Sequence, residues 1–484
     1  MPAPGRMPLP PLFVLAVMTR GRYDFARRLG NFSSCHQQAQ PMAPPLLSPT
    51  SRTVGRLFTL LIIALLATFL RFFGPPAGMK ADTMLLGFLL LAAFVAGDLA
   101  RELRLPRITG YLLIGILLGP SVLGLLPEQT VVNFEIINGT ALSVIALQAG
   151  SELRLAGLRE RFAGIGAITA SQIVITLVGI VATVYVAQGL FPLLSGQSNR
   201  TILAIALIFG IVAVANSPAT TVAVITEMKA RGQLADTVLG VSVLKDVILL
   251  LLIAVMVPAA AVLVDPAHGF DFAELRDIST QILAALALGS VVGGSIGLYL
   301  LKVDRRPILF VLAIAFIIVE LSRALGFQSE LYILMGMAAG FVVQNLTDQG
   351  SKLVDALEAN ALPVYALFFA VAGGALDLSV IPQVWQAGLV IILARAALIY
   401  LSTGLGARLA RETETIRRFA WQGFLAQAGV TLALAIIVRD RFPVWGPQVA
   451  AIIIAMIAVN QLIGPPLFRL ALVRAGETRL GSAR

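Results

Sequence analysis

The sequence has almost no cysteine, little histidine and few charged residues. Cys35 is the only cysteine, which excludes an intrachain disulfide and a cysteine-ligated metal site. His36 and His268 lie outside the long apolar segments, which argues against a histidine-ligated metal. Charged residues make up 13% of the chain, whereas soluble globular proteins carry about 25%. This shortage of charge, with 58% hydrophobic residues, predicts an all-α polytopic membrane protein.

A nucleotide-binding motif is lacking as well. No Gly-x-Gly-x-x-Gly element stands between a strand and a helix, so we expect no nucleotide-binding regulatory domain and no cofactor. The formal charge of +10 would suggest nucleic acid as the partner of a soluble protein. Here the expected partner is the lipid bilayer, and we attribute the charge to cationic cytoplasmic loops.

Thirteen apolar segments follow one another from residue 83 onward. Lysines and arginines concentrate in alternate loops, and the positive-inside rule places those loops and the C-terminus in the cytoplasm. We therefore predict a transmembrane domain over 83–474 and a short cytoplasmic tail over 475–484. The predicted spans are 83–100, 107–126, 131–150, 163–192, 200–228, 234–264, 273–301, 305–324, 327–345, 360–377, 383–408, 414–438 and 446–472.

Residues 1–82 differ from the rest of the chain. The first 55 are rich in proline, arginine and serine and show no sustained periodicity, which predicts a disordered or mis-annotated extension. An apolar stretch over 55–73 follows. It is either an extra helix or sequence upstream of a true start at Met79.

One carboxylate lies in the middle of the sixth apolar segment. Lys245 directly precedes Asp246, and apolar residues lie on both sides of this pair. An ionised group at bilayer depth costs roughly 2.5 kcal/mol or more. Such a group is retained where it faces a polar cavity, has a partner, or binds and releases a charge.

The preceding segment contains a polar interruption at mid-membrane. Pro218 removes a backbone donor, so the helix is expected to break near Asn216, with Ser217 and Thr220 beside the break. Broken helices expose backbone groups that can coordinate an ion where they line a cavity. A simple proline kink is the alternative.

A second interruption, in the twelfth segment, contains Gln427 and Gly429. Interruptions at corresponding positions of two halves are typical of inverted-repeat transporters, although Gln427 alone could be a helix-packing residue. Arg395 is a further midplane charge that keeps its proton. We expect Arg395 to compensate a carboxylate or to cap exposed carbonyls, with snorkelling as the alternative.

These motifs together resemble the bacterial monovalent cation–proton antiporters of the sodium/hydrogen exchanger type. The stretch 105–120 is similar to their Leu-Pro-x-x-x-Gly-Tyr-Leu-x-x-Gly-x-x-x-Gly-Pro motif, and Glu152 stands where they carry Gly-x-Glu-Leu. The helix break at Pro218 followed by Asp246, and the basic Arg395, complete the pattern. The resemblance spans about 83–474.

The resemblance implies an inverted-repeat antiporter fold with two discontinuous crossing helices and a homodimer in the bacterial inner membrane. It also implies that Asp246 alternately carries H⁺ and a monovalent cation, Na⁺ or K⁺. The protein would be a transporter and not an enzyme. Because only one acid lies at the centre, we expect electroneutral exchange.

Lys245 departs from the family pattern, which usually has Asp, Asn or Gln at this position. Two alternatives therefore stay open. In one, the protein is a non-transporting membrane sensor with a locked Lys245–Asp246 pair. In the other, it is an organic-anion carrier or channel that uses Lys245 and Arg395 as ligands.

Overall fold

A computed structural model describes residues 81–265, 272–303, 307–327, 331–376, 378, 381–428 and 430–478, with isolated positions between 56 and 68. The extension over 1–55, the tail residues 479–484 and Gly429 lie outside the described residues. All regular secondary structure across the described ranges is helical. The helices are α1 (Ala81–Glu102), α2 (Arg107–Leu118), α3 (Glu128–Asn133), α4 (Glu135–Glu152), α5 (Leu155–Val186), α6 (Asn199–Val214), α7 (Pro218–Met228), α8 (Gln233–Val264), α9 (Phe272–Lys302), α10 (Pro307–Ala324), α11 (Leu331–Leu346), α12 (Gly350–Ala359), α13 (Ala361–Gly374), α14 (Ile381–Leu409), α15 (Glu414–Phe419), α16 (Val430–Arg441) and α17 (Gly446–Arg474).

Each of the thirteen predicted segments coincides with one helix or with a broken helix. Among the described residues, eight spans are long and apolar enough to cross a membrane, and nine if α12 and α13, bent by 60°, count as one. The other four predicted segments are not among these long apolar spans, and a structural feature explains each case. Helices α2 and α11 are short, α4 carries several polar residues, and the twelfth segment is interrupted between α15 and α16.

The helices pack as two bundles. The core bundle consists of α5, α6, α7, α8, α14, α15, α16 and α17, and the platform bundle consists of α1, α2, α4 and α9 to α13. Helices α4 and α7 make a contact between the bundles, as do α2 and α17. The two interruptions predicted from the sequence, α6–α7 and α15–α16, belong to the core bundle, one from each half of the chain.

Small residues allow close helix contacts in the platform bundle. A Cβ atom at Gly115 would overlap the carbonyl of Ala370, and one at Gly340 would overlap the carbonyl of Leu147. In lipid, helices gain no hydrophobic driving force for association, so close van der Waals packing at small residues holds them together instead. The α2–α13 and α4–α11 pairs therefore approach almost backbone to backbone, which suits a rigid platform.

Candidate functional site

The first helix break is organised by Ser217 and Pro218. Helix α6 ends at Val214 and α7 begins at Pro218, which occupies the first helical position, where a missing N–H does no harm. Ser217 caps α7, because its Oγ accepts the backbone N–H of Thr220 at 3.2 Å. Asn216, Ser217 and Thr220 are all buried. The polar residues therefore belong to a true interruption of the helix.

The second break crosses the first at Ser217. A short 3₁₀ turn ends at Phe424, residues 425–428 are not helical, and α16 begins at Val430. The backbone N–H of Ser217 donates to the carbonyl of Ala426 at 2.9 Å. Gln427 donates from Nε2 to the carbonyl of Val212 at 2.7 Å and accepts from Asn460 at 2.7 Å. Gln427 is therefore both part of the break and a packing hydrogen bonder.

Arg395 is completely buried and contacts the ends of both breaks. Its guanidinium donates to the carbonyls of Ala213 at 2.9 Å and Ala215 at 2.6 Å, at the end of α6. It also donates to the carbonyls of Leu425 at 2.8 Å and Phe424 at 3.1 Å. Hydrogen bonds to charged groups contribute roughly 1.5–3 kcal/mol each, so four of them can offset the several kcal/mol that burial of an ion costs.

Asp246 lines a small cavity between the two bundles. The cavity has a volume of about 30 Å³ and its polar lining comes from Asn216, Ser217 and Asp246. Apolar residues of the platform bundle close the other side, including Ile145, Met337 and Phe368. A space of this size holds about one particle as large as a water molecule. We call it the Asp246 cavity.

Lys245 extends into the core bundle. Its buried ammonium donates to Gln172 Oε1 at 2.6 Å and lies 5.0 Å from the centre of the Phe424 ring. Gln172 in turn donates to Thr403 Oγ1 at 2.7 Å, which links α8 through α5 to α14. Consecutive helical residues point about 100° apart. Lys245 and Asp246 accordingly contribute to different surroundings.

Sequence reasoning missed several polar residues around the site. Gln172 accepts a hydrogen bond from Lys245, and Asn460 donates one to Gln427. Gln461 donates to the hydroxyl of Thr220 at 3.1 Å. Thr220 itself lies behind Ser217 and outside the lining of the Asp246 cavity. Side-chain amides within long apolar segments are the sequence signal that marks these positions, because an unsatisfied amide is costly in lipid.

A second, larger cavity lies at one end of α4 and α8. Its volume is about 300 Å³, and we call it the vestibule. Asp236 in the first turns of α8 lies ten residues before Asp246, a distance of about 15 Å along a helix. The charged lining consists of Glu152, Arg154, Arg161, Arg231, Asp236 and Glu358. Asp246 thus has a charged cavity at the end of its own helix.

Comparison with known proteins shows the family to which this chain belongs. The family model described as "Sodium/hydrogen exchanger, transmembrane" matches residues 87–473. A probable Na⁺/H⁺ antiporter, GerT of Bacillus cereus, is 29% identical over 167 residues, which cover 34% of this chain and 41% of that protein. A Na⁺/H⁺ antiporter of Enterococcus hirae is 27% identical over 173 residues, covering 35% and 41%. The chain thus matches about two fifths of the length of these curated relatives.

The fold is also similar to that of a solved transporter. The sodium proton antiporter MjNhaP1 from Methanocaldococcus jannaschii has been determined at pH 8, and this structure gives a TM-score of 0.57 at 18% identity. The match covers 83% of this chain and 97% of that one. A structure of the same antiporter from electron microscopy gives a TM-score of 0.64, also at 18% identity, covering 83% and 100%. The antiporter fold predicted from the sequence is therefore confirmed.

Proposed function

Because the chain belongs to the sodium/hydrogen exchanger family, we propose that it is a secondary active antiporter that exchanges H⁺ for Na⁺ or K⁺. The observation that carries the proposal is the Asp246 cavity. It combines one carboxylate with oxygen atoms at a helix break and has room for one small particle. A site built of oxygen atoms suits a hard cation.

In this mechanism, Asp246 alternates between two loads. The ionised carboxylate binds a partly dehydrated cation, and oxygens of Asn216 and Ser217 replace part of the lost hydration shell. Protonation of Asp246 removes the negative charge and releases the cation. Because one carboxylate carries either one proton or one cation, the exchange is electroneutral, with one ion for each proton.

Access from the two sides is proposed to alternate through movement of the core bundle against the platform bundle. The Asp246 cavity lies at their junction, so a displacement there changes which side the site faces. Arg395 and Gln427 hold the two breaks together within the core bundle. The site can then move without losing its geometry.

The proposed setting follows from the same family. The protein acts as a homodimer in the bacterial inner membrane, with the C-terminus in the cytoplasm, and it needs no cofactor and catalyses no covalent reaction. The vestibule is the proposed cytoplasmic access to Asp246, because its lining includes Arg154 and Arg231 from connections that the positive-inside rule places in the cytoplasm, alongside three acids.

The two alternative functions are less well supported. A sensor with a locked Lys245–Asp246 pair needs the ammonium at Asp246, whereas Lys245 donates to Gln172. An organic-anion carrier needs exposed cationic ligands and space for the anion. Arg395 donates to four carbonyls, and the Asp246 cavity measures about 30 Å³.

The deciding experiment uses purified protein in liposomes that contain a pH-sensitive dye. Na⁺, K⁺, Li⁺ and choline salts are added in turn to vesicles with an imposed pH gradient. We expect Na⁺ or K⁺ to collapse the gradient and choline to leave it intact. The antiporter assignment would be refuted if no alkali cation changed the pH gradient, or if an organic anion drove proton movement instead.

A further inference from the structure

The end of the last helix turns back onto the helix that carries Asp246. Gly476 adopts a positive φ of 73° directly after α17. Its N–H donates to the carbonyl of Val473 at 3.1 Å, and the N–H of Glu477 donates to that of Leu472 at 3.1 Å. This pair of bonds is a Schellman motif, in which glycine takes the left-handed position. The motif fixes the direction in which Glu477 leaves α17.

Glu477 then caps the first turn of α8. Its carboxylate accepts the backbone N–H of Leu234 at 2.6 Å and that of Ala235 at 2.9 Å. Its carbonyl accepts the N–H of Arg231 at 3.0 Å. The first N–H groups of a helix lack partners within the helix. Glu477, more than 240 residues further along the chain, therefore supplies the hydrogen-bond acceptors that a neighbouring cap residue usually provides.

Gly232 leaves room for this contact. It has a φ of 158°, and α8 begins at the next residue. A Cβ atom at Gly232 would overlap the Glu477 carboxyl group. The local sequence before α8 provides no side-chain cap. The start of α8 is thus built to receive Glu477.

The turn held by Glu477 also forms a wall of the vestibule. Arg231, Gly232, Ala235 and Asp236 line that cavity. We propose that Glu477 is a positioning residue for cation uptake, because it holds the first turn of α8 in the arrangement that admits the ion from the vestibule. This proposal rests on the proposed function, in which Asp246 of the same helix carries the ion.

Two variants separate the cap from a general structural role. Glu477→Ala removes both acceptor oxygens, while Glu477→Gln retains one of them at nearly the same size. Loss of a helix cap changes a local equilibrium by roughly tenfold. We expect backbone amides of 233–236 in Glu477→Ala to exchange with deuterium about tenfold faster. Those of Glu477→Gln should exchange at an intermediate rate, because the amide keeps one acceptor oxygen and cannot accept the second backbone N–H. Glu414→Ala serves as the matched control, because its side chain is 73% exposed and pairs only with the nearby Arg417 among the described ion pairs.

The transport measurement uses everted membrane vesicles, in which the cytoplasmic face is accessible. We expect Glu477→Ala to raise the cation concentration for half-maximal exchange about threefold, since uncapping disturbs the uptake route, while the maximal rate per folded molecule stays near wild type. Glu477→Gln, which keeps one of the two acceptor oxygens, should give a value between those of Glu477→Ala and the wild type.

The two measurements test separate parts of the proposal. Unchanged amide exchange in Glu477→Ala would overturn the cap, and faster exchange with an unaltered half-maximal concentration would overturn its role in uptake. Failure of the antiporter assignment itself would show as absent cation-driven proton movement in the wild type, whatever the amide exchange.

Discussion

The backbone N–H of Ser217 donates to the carbonyl of Ala426 at 2.9 Å, joining two helix breaks that lie far apart in the sequence. Each break leaves backbone groups without their regular helical hydrogen bonds, and residues of the other break supply some of the missing partners. Gln427 donates to Val212 in the same way. The crossing is therefore a single structural unit, and the oxygens beside Asp246 depend on both halves of the chain.

Asp246→Asn is expected to abolish exchange while the protein remains folded and inserted. The substitution preserves size and hydrogen bonding but removes the group that alternates between charge states. The measurement is cation-driven dye response in proteoliposomes, with Asp440→Asn as a control because Asp440 is 61% exposed. Robust cation-dependent proton flux in Asp246→Asn would rule out the carrier role.

Exchange is expected to be independent of membrane potential. One carboxylate carries one positive charge in each direction, so no net charge crosses the membrane per cycle. The test imposes a K⁺ diffusion potential with valinomycin and follows Na⁺-driven proton movement. A marked change in the rate or in the final gradient would show that net charge crosses the membrane in each cycle.

Arg395→Ala is expected to destabilise the protein by at least about 3 kcal/mol, because it leaves buried carbonyls of both breaks without donors. Arg395→Lys should be less harmful, since it keeps the charge and some donors. Thermal unfolding of the purified protein measures the difference. Arg408→Ala on the same helix is the control, because Arg408 is exposed. Wild-type stability and transport in Arg395→Ala would show that the carbonyl contacts are dispensable.

The Glu477 cap has a pH dependence whose sign follows from burial. Burial raises the pKa of Glu477 above its usual value of 4.5, which outweighs the opposing hydrogen bonds from Leu234 and Ala235. Asp236 raises this pKa further and Arg161 lowers it. Arg231, two residues before α8, completes the charged surroundings together with Arg154, Glu152 of α4 and Glu358 of α12.

A raised pKa in the docked state means that protonation favours docking. Docking should therefore be strongest below about pH 4.5 and should weaken as pH rises through the raised value. The measurement is amide protection of 233–236, corrected for the intrinsic pH dependence of exchange. Glu477→Gln should show no such trend, and protection that increases with pH would contradict the assigned sign.

Local signals in the sequence predicted the two helix interruptions and marked Asp246 as the candidate carrier. Pro218 indicated the first break because it lacks a backbone donor and stands beside small polar residues within an apolar span, whereas Pro258 lies inside α8 without interrupting it. Asp246 is conspicuous because charge is costly in lipid.

The sequence left two roles open for Arg395, a carboxylate partner or exposed carbonyls, and the side chain donates to four carbonyls. The partner of Lys245 was not predictable. Lys245 and Gln172 are 73 positions apart, and whether they meet depends on the rotation of α8 about its axis. Glu477 gave no signal, because an acid after the last helix resembles any solvated residue.

Lys245→Asn is expected to move the pH optimum of exchange to higher values. The Lys245 side chain bonds to Gln172, and in its protonated form its charge also acts on the neighbouring carboxylate of Asp246. Two unit charges about 4 Å apart interact by about 4 kcal/mol at an effective dielectric constant of about 20. Even a third of this, about 1.4 kcal/mol, corresponds to one pH unit. Removing a positive charge makes the ionised carboxylate less favourable, so a higher pH is needed to free Asp246 for the cation.

Thr403→Val is the matched control for Lys245→Asn. It removes the hydroxyl at the far end of the Lys245–Gln172–Thr403 chain but keeps the charge of Lys245. We expect its pH profile to remain that of the wild type, measured as initial rates of dye response from pH 6 to pH 9. A shift in Thr403→Val equal to that in Lys245→Asn would assign the effect to packing. An unchanged profile in Lys245→Asn, at normal expression, would remove Lys245 from the transport mechanism and leave it as a buried link between α8 and α5.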